Sequence, residues 1–150
     1  MDNRTTVIIA DNAEDFCSSL TAALQRAEGF QVLGTANDGE QAIRLVTEKK
    51  PDVLVLDLML AKKDGLSVLK ALSATERRPV TLATSRFVTD YVASAAANLG
   101  VRYLMLKPCD MTALVERLEL PCVVKPKPRW NFDTEIPAPN FIITPPLTLP

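Results

Sequence analysis

The stretch VLVLDLMLAKKDG, residues 53–65, runs through four branched apolar residues and stops on a carboxylate, Asp57, before a charged loop. A short run that is apolar at every position suits a strand covered on both faces of a sheet. A chain that only needed to turn could have used Asn, Gly or Ser where Asp57 stands. Whether Asp57 closes a strand or belongs to a site depends on what ends the other apolar runs.

Outward from this stretch, four more strand candidates appear: TVIIA (6–10), FQVLGTA (30–36), PVTLAT (79–84) and VRYLML (101–106), with DVLVL (52–56) as the third of five. Helical spacing fills the intervals. Phe16, Leu20, Leu24 and Ala27 line one face of the first helix, and Ala42, Ile43 and Val46 that of the second. Leu66, Leu69 and Leu72 mark the third, Val88, Val92, Ala95 and Leu99 the fourth, and Met111, Leu114, Val115 and Leu118 the fifth. Gly29 and Gly100 follow helices, and Asp110 is placed to cap the last. Strict strand–helix alternation means a parallel sheet with helices on both faces. Right-handed crossovers then favour an α/β flavodoxin-like, doubly wound (βα)5 sheet of strand order 2-1-3-4-5 over residues 1–120.

Residues 121–150 hold eight of the eleven prolines and no glycine. This composition reads as a Pro-rich linker or extended arm. KPKPR (125–129) is too short to argue for a nucleic-acid arm. Trp130, Phe132 and FIIT (141–144) are unusual in a free linker and suit packing against the domain or a partner.

Composition narrows the chemistry. A 47% apolar and 23% charged chain of 150 residues is an ordinary globular protein, and its net charge of −1 supplies no basic field for nucleic acid or an anionic membrane. Cys17, Cys109 and Cys122 are odd in number and widely spaced, which suits neither a disulfide framework nor a zinc site. Free thiols, no signal-like N-terminus and no apolar run near the ~18 residues of a membrane span predict a cytoplasmic, non-membrane protein. Histidine is absent, which removes the commonest general base, the Ser-His-Asp triad and any histidine metal ligand.

In open parallel sheets, ligands bind beyond the carboxyl ends of the strands, where strand order reverses. Those ends are Asp11-Asn12, Asp57, Thr84-Ser85 and Lys107-Pro108. Alone, an Asp here is usually a turn former or cap, and a Ser or Lys a loop residue. Together they put carboxylates, an amide, a hydroxyl and an ammonium on one rim. Asp57 can attack a phosphoryl donor, Asp11 and Asp57 can hold Mg²⁺, and Lys107 and Ser85 can meet phosphoryl oxygens. Phosphoryl transfer rests mainly on positioning and charge neutralisation, so it needs no histidine in this domain.

The blocks ADN (10–12), LVLDLML (54–60), DGL (64–66), ATS (83–85) and LKPCDM (106–111) resemble, in order and spacing, the receiver domains of bacterial two-component response regulators, most of all their sporulation branch. Ser85 precedes Lys107 by that family's usual 22 residues. The resemblance covers roughly residues 6–118. It implies that Asp57 is the phosphoacceptor and that Asp11, Asn12, Asp57 and the Met59 carbonyl ligate Mg²⁺. By the same resemblance Ser85 and Lys107 contact the phosphoryl group, and the Lys107–Pro108 bond is cis. The implied partners are a sensor histidine kinase or phosphotransfer protein and an effector, commonly a DNA-binding output, with a homodimer as a further expectation. Switching would shift a two-state balance on the face of helix 4, strand 5 and helix 5.

Several residues depart from that pattern. Asn12 replaces a usual acid and costs the site one charge, which implies weaker Mg²⁺ binding. Arg86, where a small residue is usual, could cover the site or pair with Asp57. Leu104 takes the place of the aromatic switch, Ala61 that of a proline and Cys109 that of a phenylalanine. Tyr103, one residue away, would point to the opposite face of the strand. Three readings therefore stand: a phosphorylatable receiver that is not an enzyme in the ordinary sense, a degenerate pseudo-receiver serving as an interaction module, and a flavodoxin-like enzyme or nucleotide binder. The third lacks any Gly-rich phosphate loop.

Overall fold

A computed structural model of the chain describes residues 3–75, 78–119 and 142–145. Cys122, KPKPR, Trp130, Phe132 and Phe141 lie outside the described residues. The chain alternates β1 (Thr5–Ala10), α1 (Glu14–Ala27), β2 (Phe30–Ala36), α2 (Gly39–Lys49), β3 (Val53–Asp57), α3 (Gly65–Leu72), β4 (Val80–Ser85), α4 (Asp90–Asn98), β5 (Val101–Leu106) and α5 (Met111–Leu118). All five strands pair in parallel in the expected order, β2-β1-β3-β4-β5.

Strand alternation sorts side chains into two cores. Val7, Ile9, Val53, Val55, Val80, Leu82, Tyr103 and Met105 pack under α1 and α5. Ile8, Ala10, Leu54, Leu56, Ala83 and Leu104 pack under α2, α3 and α4. Polar caps start the helices where the sequence offers them: Asp38, Asp64, Thr89 and Asp110 each accept from a backbone N–H in the first turn. Gly29 and Gly100 both follow helices, as expected. The left-handed residue after α1 is Glu28, at φ 65°, and not Gly29; after α4 it is Gly100, at φ 92°.

The C-terminal segment does more than the expected arm. Ile142–Thr144 forms a sixth strand, β6, parallel to β5, pairing Tyr103 with Ile142, Leu104 with Ile143 and Met105 with Thr144. Two isoleucines and a threonine favour a pleated edge, and β5 would otherwise present unpaired N–H and C=O groups. The expectation that FIIT packs back on the domain is met by these residues, although three residues are too few for periodicity to reveal a strand. Among the described residues no helix is long and apolar enough to cross a membrane.

Proline at the centre of β6 removes its N–H and restricts its backbone. Ile143→Pro is expected to release the strand, lower stability by roughly 1–3 kcal/mol and speed hydrogen exchange in Tyr103–Met105. Exchange in β1 and β3 should be unaffected.

Candidate functional site

The strand ends bring Asp11, Asp57 and Lys107 together on the face under α1 and α5. Asp11 continues the Val7–Ile9 row, Asp57 the Val53–Val55 row and Lys107 the Tyr103–Met105 row. The ladder extends past the strands, through Asp11 N–H to Ala36 (2.9 Å), Leu58 N–H to Thr84 (2.9 Å) and Lys107 N–H to Ser85 (2.8 Å). The alternation therefore holds at the rim.

The Lys107 ammonium donates to Asp11 Oδ2 at 2.6 Å and to Asp57 Oδ2 at 3.2 Å. All three side chains are largely withdrawn from water, at 13%, 1% and 9% exposure for Lys107, Asp11 and Asp57. The other carboxylate oxygens are also engaged. Asp11 Oδ1 accepts from Ala13 N–H at 2.8 Å, and Asp57 Oδ1 from Met59 N–H at 2.9 Å. Burial alone would favour neutral lysine, but the Asp11 hydrogen bond and the charges of Asp57 and Asp11 outweigh it and hold the Lys107 pKa above its ordinary value. The ammonium also lies 4.6 Å from the centroid of the Phe16 ring, within cation–π range. Sequence spacing had assigned Phe16 to the apolar face of α1; it is part of both.

The remaining candidates are distributed unevenly. Asn12 is exposed beside Asp11, and Met59 is exposed beside Asp57. Ser85 is buried, but its hydroxyl donates to the Phe87 carbonyl at 2.7 Å and not toward Asp57. Arg86 is exposed, and the ion pair of Asp57 among the described residues is with Lys107, so of the two roles open to Arg86 the pair with Asp57 is not formed. Leu104 is fully buried in the core under α2, α3 and α4, while Tyr103 faces the opposite core, as alternation requires. The Lys107–Pro108 bond is cis.

The loop after Asp57 is fixed by contacts invisible to motif reading. Gly39 N–H donates to the Ala61 carbonyl at 3.1 Å, and Asp38 and Ala61 form an isolated parallel bridge. A Cβ on Gly39 would meet the Lys63 carbonyl oxygen at 1.9 Å, so only glycine fits. Lys62, at φ 64°, pairs with Asp38 at 3.6 Å across the same junction. At the loop's end, a Cβ on Gly65 would lie 2.6 Å from Leu58 Cα.

Asp11 and Asp57 bring two carboxylates to one ammonium, and Asn12 and Met59 are exposed beside them. That donor set fits Mg²⁺, which takes one or two carboxylates and fills its octahedron with phosphate oxygens and water. Among the described residues there is no cluster of three acidic, Cys or His side chains able to hold a metal. The charges at this bridge are the two aspartates and the Lys107 ammonium between them.

Two predictions follow from these contacts. Gly39→Ala should push the 61–63 segment outward and lower stability by about 1–3 kcal/mol, read by thermal unfolding. Burial raises the Cys109 thiol to about 11, with the charge of Lys107 opposing and those of Asp11 and Asp57 adding. Its alkylation by iodoacetamide at pH 8 should then run roughly a hundredfold slower than that of a free thiol and accelerate as pH rises toward that value.

The geometry agrees with comparison to known proteins. The receiver domain of the NarL response regulator of Mycobacterium tuberculosis is 27% identical, with a TM-score of 0.74 over 80% of this chain and 96% of that one. The same fold occurs in a DNA-binding response regulator of the LuxR family from Staphylococcus aureus, 22% identical, TM-score 0.73, covering 81% and 99%. It recurs in a CheX–CheY complex with BeF3 and Mg from Borrelia burgdorferi, 23% identical, TM-score 0.70, covering 76% and 86%. The family model for the response regulator receiver domain matches residues 7–119, and the chain belongs to that family of signalling domains.

Proposed function

We propose that this domain accepts a phosphoryl group on Asp57 from the phosphohistidine of a sensor kinase or phosphotransfer protein and converts it into a change of shape read by an output. The observation that carries this reading is the Lys107 ammonium shared by Asp11 and Asp57 at 2.6 and 3.2 Å. A carboxylate nucleophile and a fixed positive charge for phosphoryl oxygens stand side by side, in a site shielded enough for charge to act strongly. An Asp57 carboxylate oxygen forms the new O–P bond as the donor's P–N bond breaks, and the imidazole leaves with the electron pair. Lys107 turns from the carboxylate toward the transferred oxygens. Ser85 would follow by releasing the Phe87 carbonyl, its present acceptor.

Asp11, Asp57, the Asn12 amide and the Met59 carbonyl would hold Mg²⁺ here. The ion would neutralise phosphoryl charge, and binding is weakened by the single charge Asn12 lacks. Arg86 and Leu104 are proposed modulators: Arg86 as a mobile cation at the mouth, Leu104 as core packing where an aromatic would otherwise swing. The sporulation-branch likeness rests on the motif blocks alone. A cytoplasmic setting, a DNA-binding effector as output and a homodimer belong to the same proposal. The LuxR-family relative, described as DNA-binding, supports the effector.

A second reading, a pseudo-receiver that binds partners without phosphorylation, draws on Asn12 and on Leu104 locked at 0% exposure. Intact mass after incubation with Mg²⁺ and acetyl phosphate separates the two. One phosphoryl adduct on the native chain and none on Asp57→Asn is the expected result, with Asn12→Asp reaching the same occupancy at lower Mg²⁺. A folded native chain that takes no adduct, while Asn12→Asp also takes none, decides for the pseudo-receiver.

A further inference from the structure

We infer that Thr84 is a second phosphoryl-sensing hydroxyl, delivered from the face under α1 and α5, where Asp11, Asp57 and Lys107 lie. The inference rests on Asp57 being the phosphoacceptor and adds a residue to that site. Val80 and Leu82 belong to the core under α1 and α5, so alternation along β4 puts Thr84 on that face and Ser85 on the other, with Ala83. Thr84 is the direct register partner of Asp57 on one side and of Met105, two residues before Lys107, on the other. It therefore sits between the nucleophile's strand and the lysine's strand. Its carbonyl already anchors the chain after Asp57, accepting from Leu58 N–H at 2.9 Å.

The state of its hydroxyl is what calls for a role. Thr84 is 0% exposed, and its Oγ1 has no hydrogen-bond partner among the described residues. A buried hydroxyl without a partner destabilises the fold, and valine would fill the same strand position without that cost. Both Asp57 oxygens are already engaged, by Met59 N–H and by Lys107. A phosphoryl group on Asp57 brings three strong acceptor oxygens to a position next to this hydroxyl. The unmodified protein thus carries a donor that gains its partner on modification. Ser85 has to leave the Phe87 carbonyl to do the same.

The hydroxyl's two states give the test opposite signs. Beryllium fluoride with Mg²⁺ serves as the phosphoryl mimic, its affinity measured by calorimetry on the full chain, with thermal unfolding measured without it. Thr84→Val should raise the unfolding temperature of the unmodified protein by roughly 3 °C and weaken mimic binding about tenfold. Thr84→Ser, which keeps the hydroxyl, should restore native affinity. A Thr84→Val protein that binds the mimic as tightly as the native chain overturns the role of Thr84. So does one with a lowered unfolding temperature, because the hydroxyl would then already have its partner at rest. A native chain that binds no mimic and takes no phosphoryl group from acetyl phosphate overturns the phosphoacceptor reading itself, and the role of Thr84 with it.

Discussion

The bridge from Lys107 to Asp11 and Asp57 is the interaction on which the site depends. Two carboxylates, 1% and 9% exposed, stand close enough to share one ammonium. Without the ammonium they would repel across a poorly solvated gap, and removing one partner of a buried ion pair typically costs 3–5 kcal/mol, roughly. With it, two negative charges and one positive leave a single net charge. That residual charge can draw a cation without forcing the aspartates apart. The fold supplies the arrangement directly: β1 and β3 are neighbours at the point where strand order reverses, and β5 reaches the same rim from the other side of β4.

Everything around the bridge limits motion. Phe16 lies under the ammonium, and Met59 N–H fixes the orientation of Asp57. Gly39 and Gly65 allow the backbone of the 58–65 loop to sit too close to its neighbours for any larger residue. Preorganised donors need little rearrangement when charge develops on a transferring group. The groups left with freedom are hydroxyls and the exposed Arg86, which can turn without disturbing the core.

β5 ties the site to the C-terminal segment. One end of this strand delivers Lys107, and its outer edge carries β6. Sheet edges attract partners, and covering β5 with a strand of the same chain closes that opportunity along Tyr103–Met105. The strand that leads into Lys107 is therefore the one that β6 holds.

Most of the fold was legible in the sequence because it depends on local rules. Apolar runs separated by helical spacing dictate a parallel sheet, and Asp57, Asp11 and Lys107 are found at strand ends because those runs stop there. The matched blocks made the same site readable as a receiver. What the sequence could not decide depends on which side chains meet across the sheet. Ser85 satisfies its hydroxyl on Phe87, Arg86 stays in solvent, and Phe16 turns out to touch the lysine. Gly39 is required by a carbonyl from a loop 24 residues further along the chain, and β6 by an edge that exists only once five strands have paired. Thr84 and Ser85 are neighbours in sequence, yet the pleat sends them to opposite faces. Spacing named the residues of the rim, and only the assembled sheet decided which of them share a face.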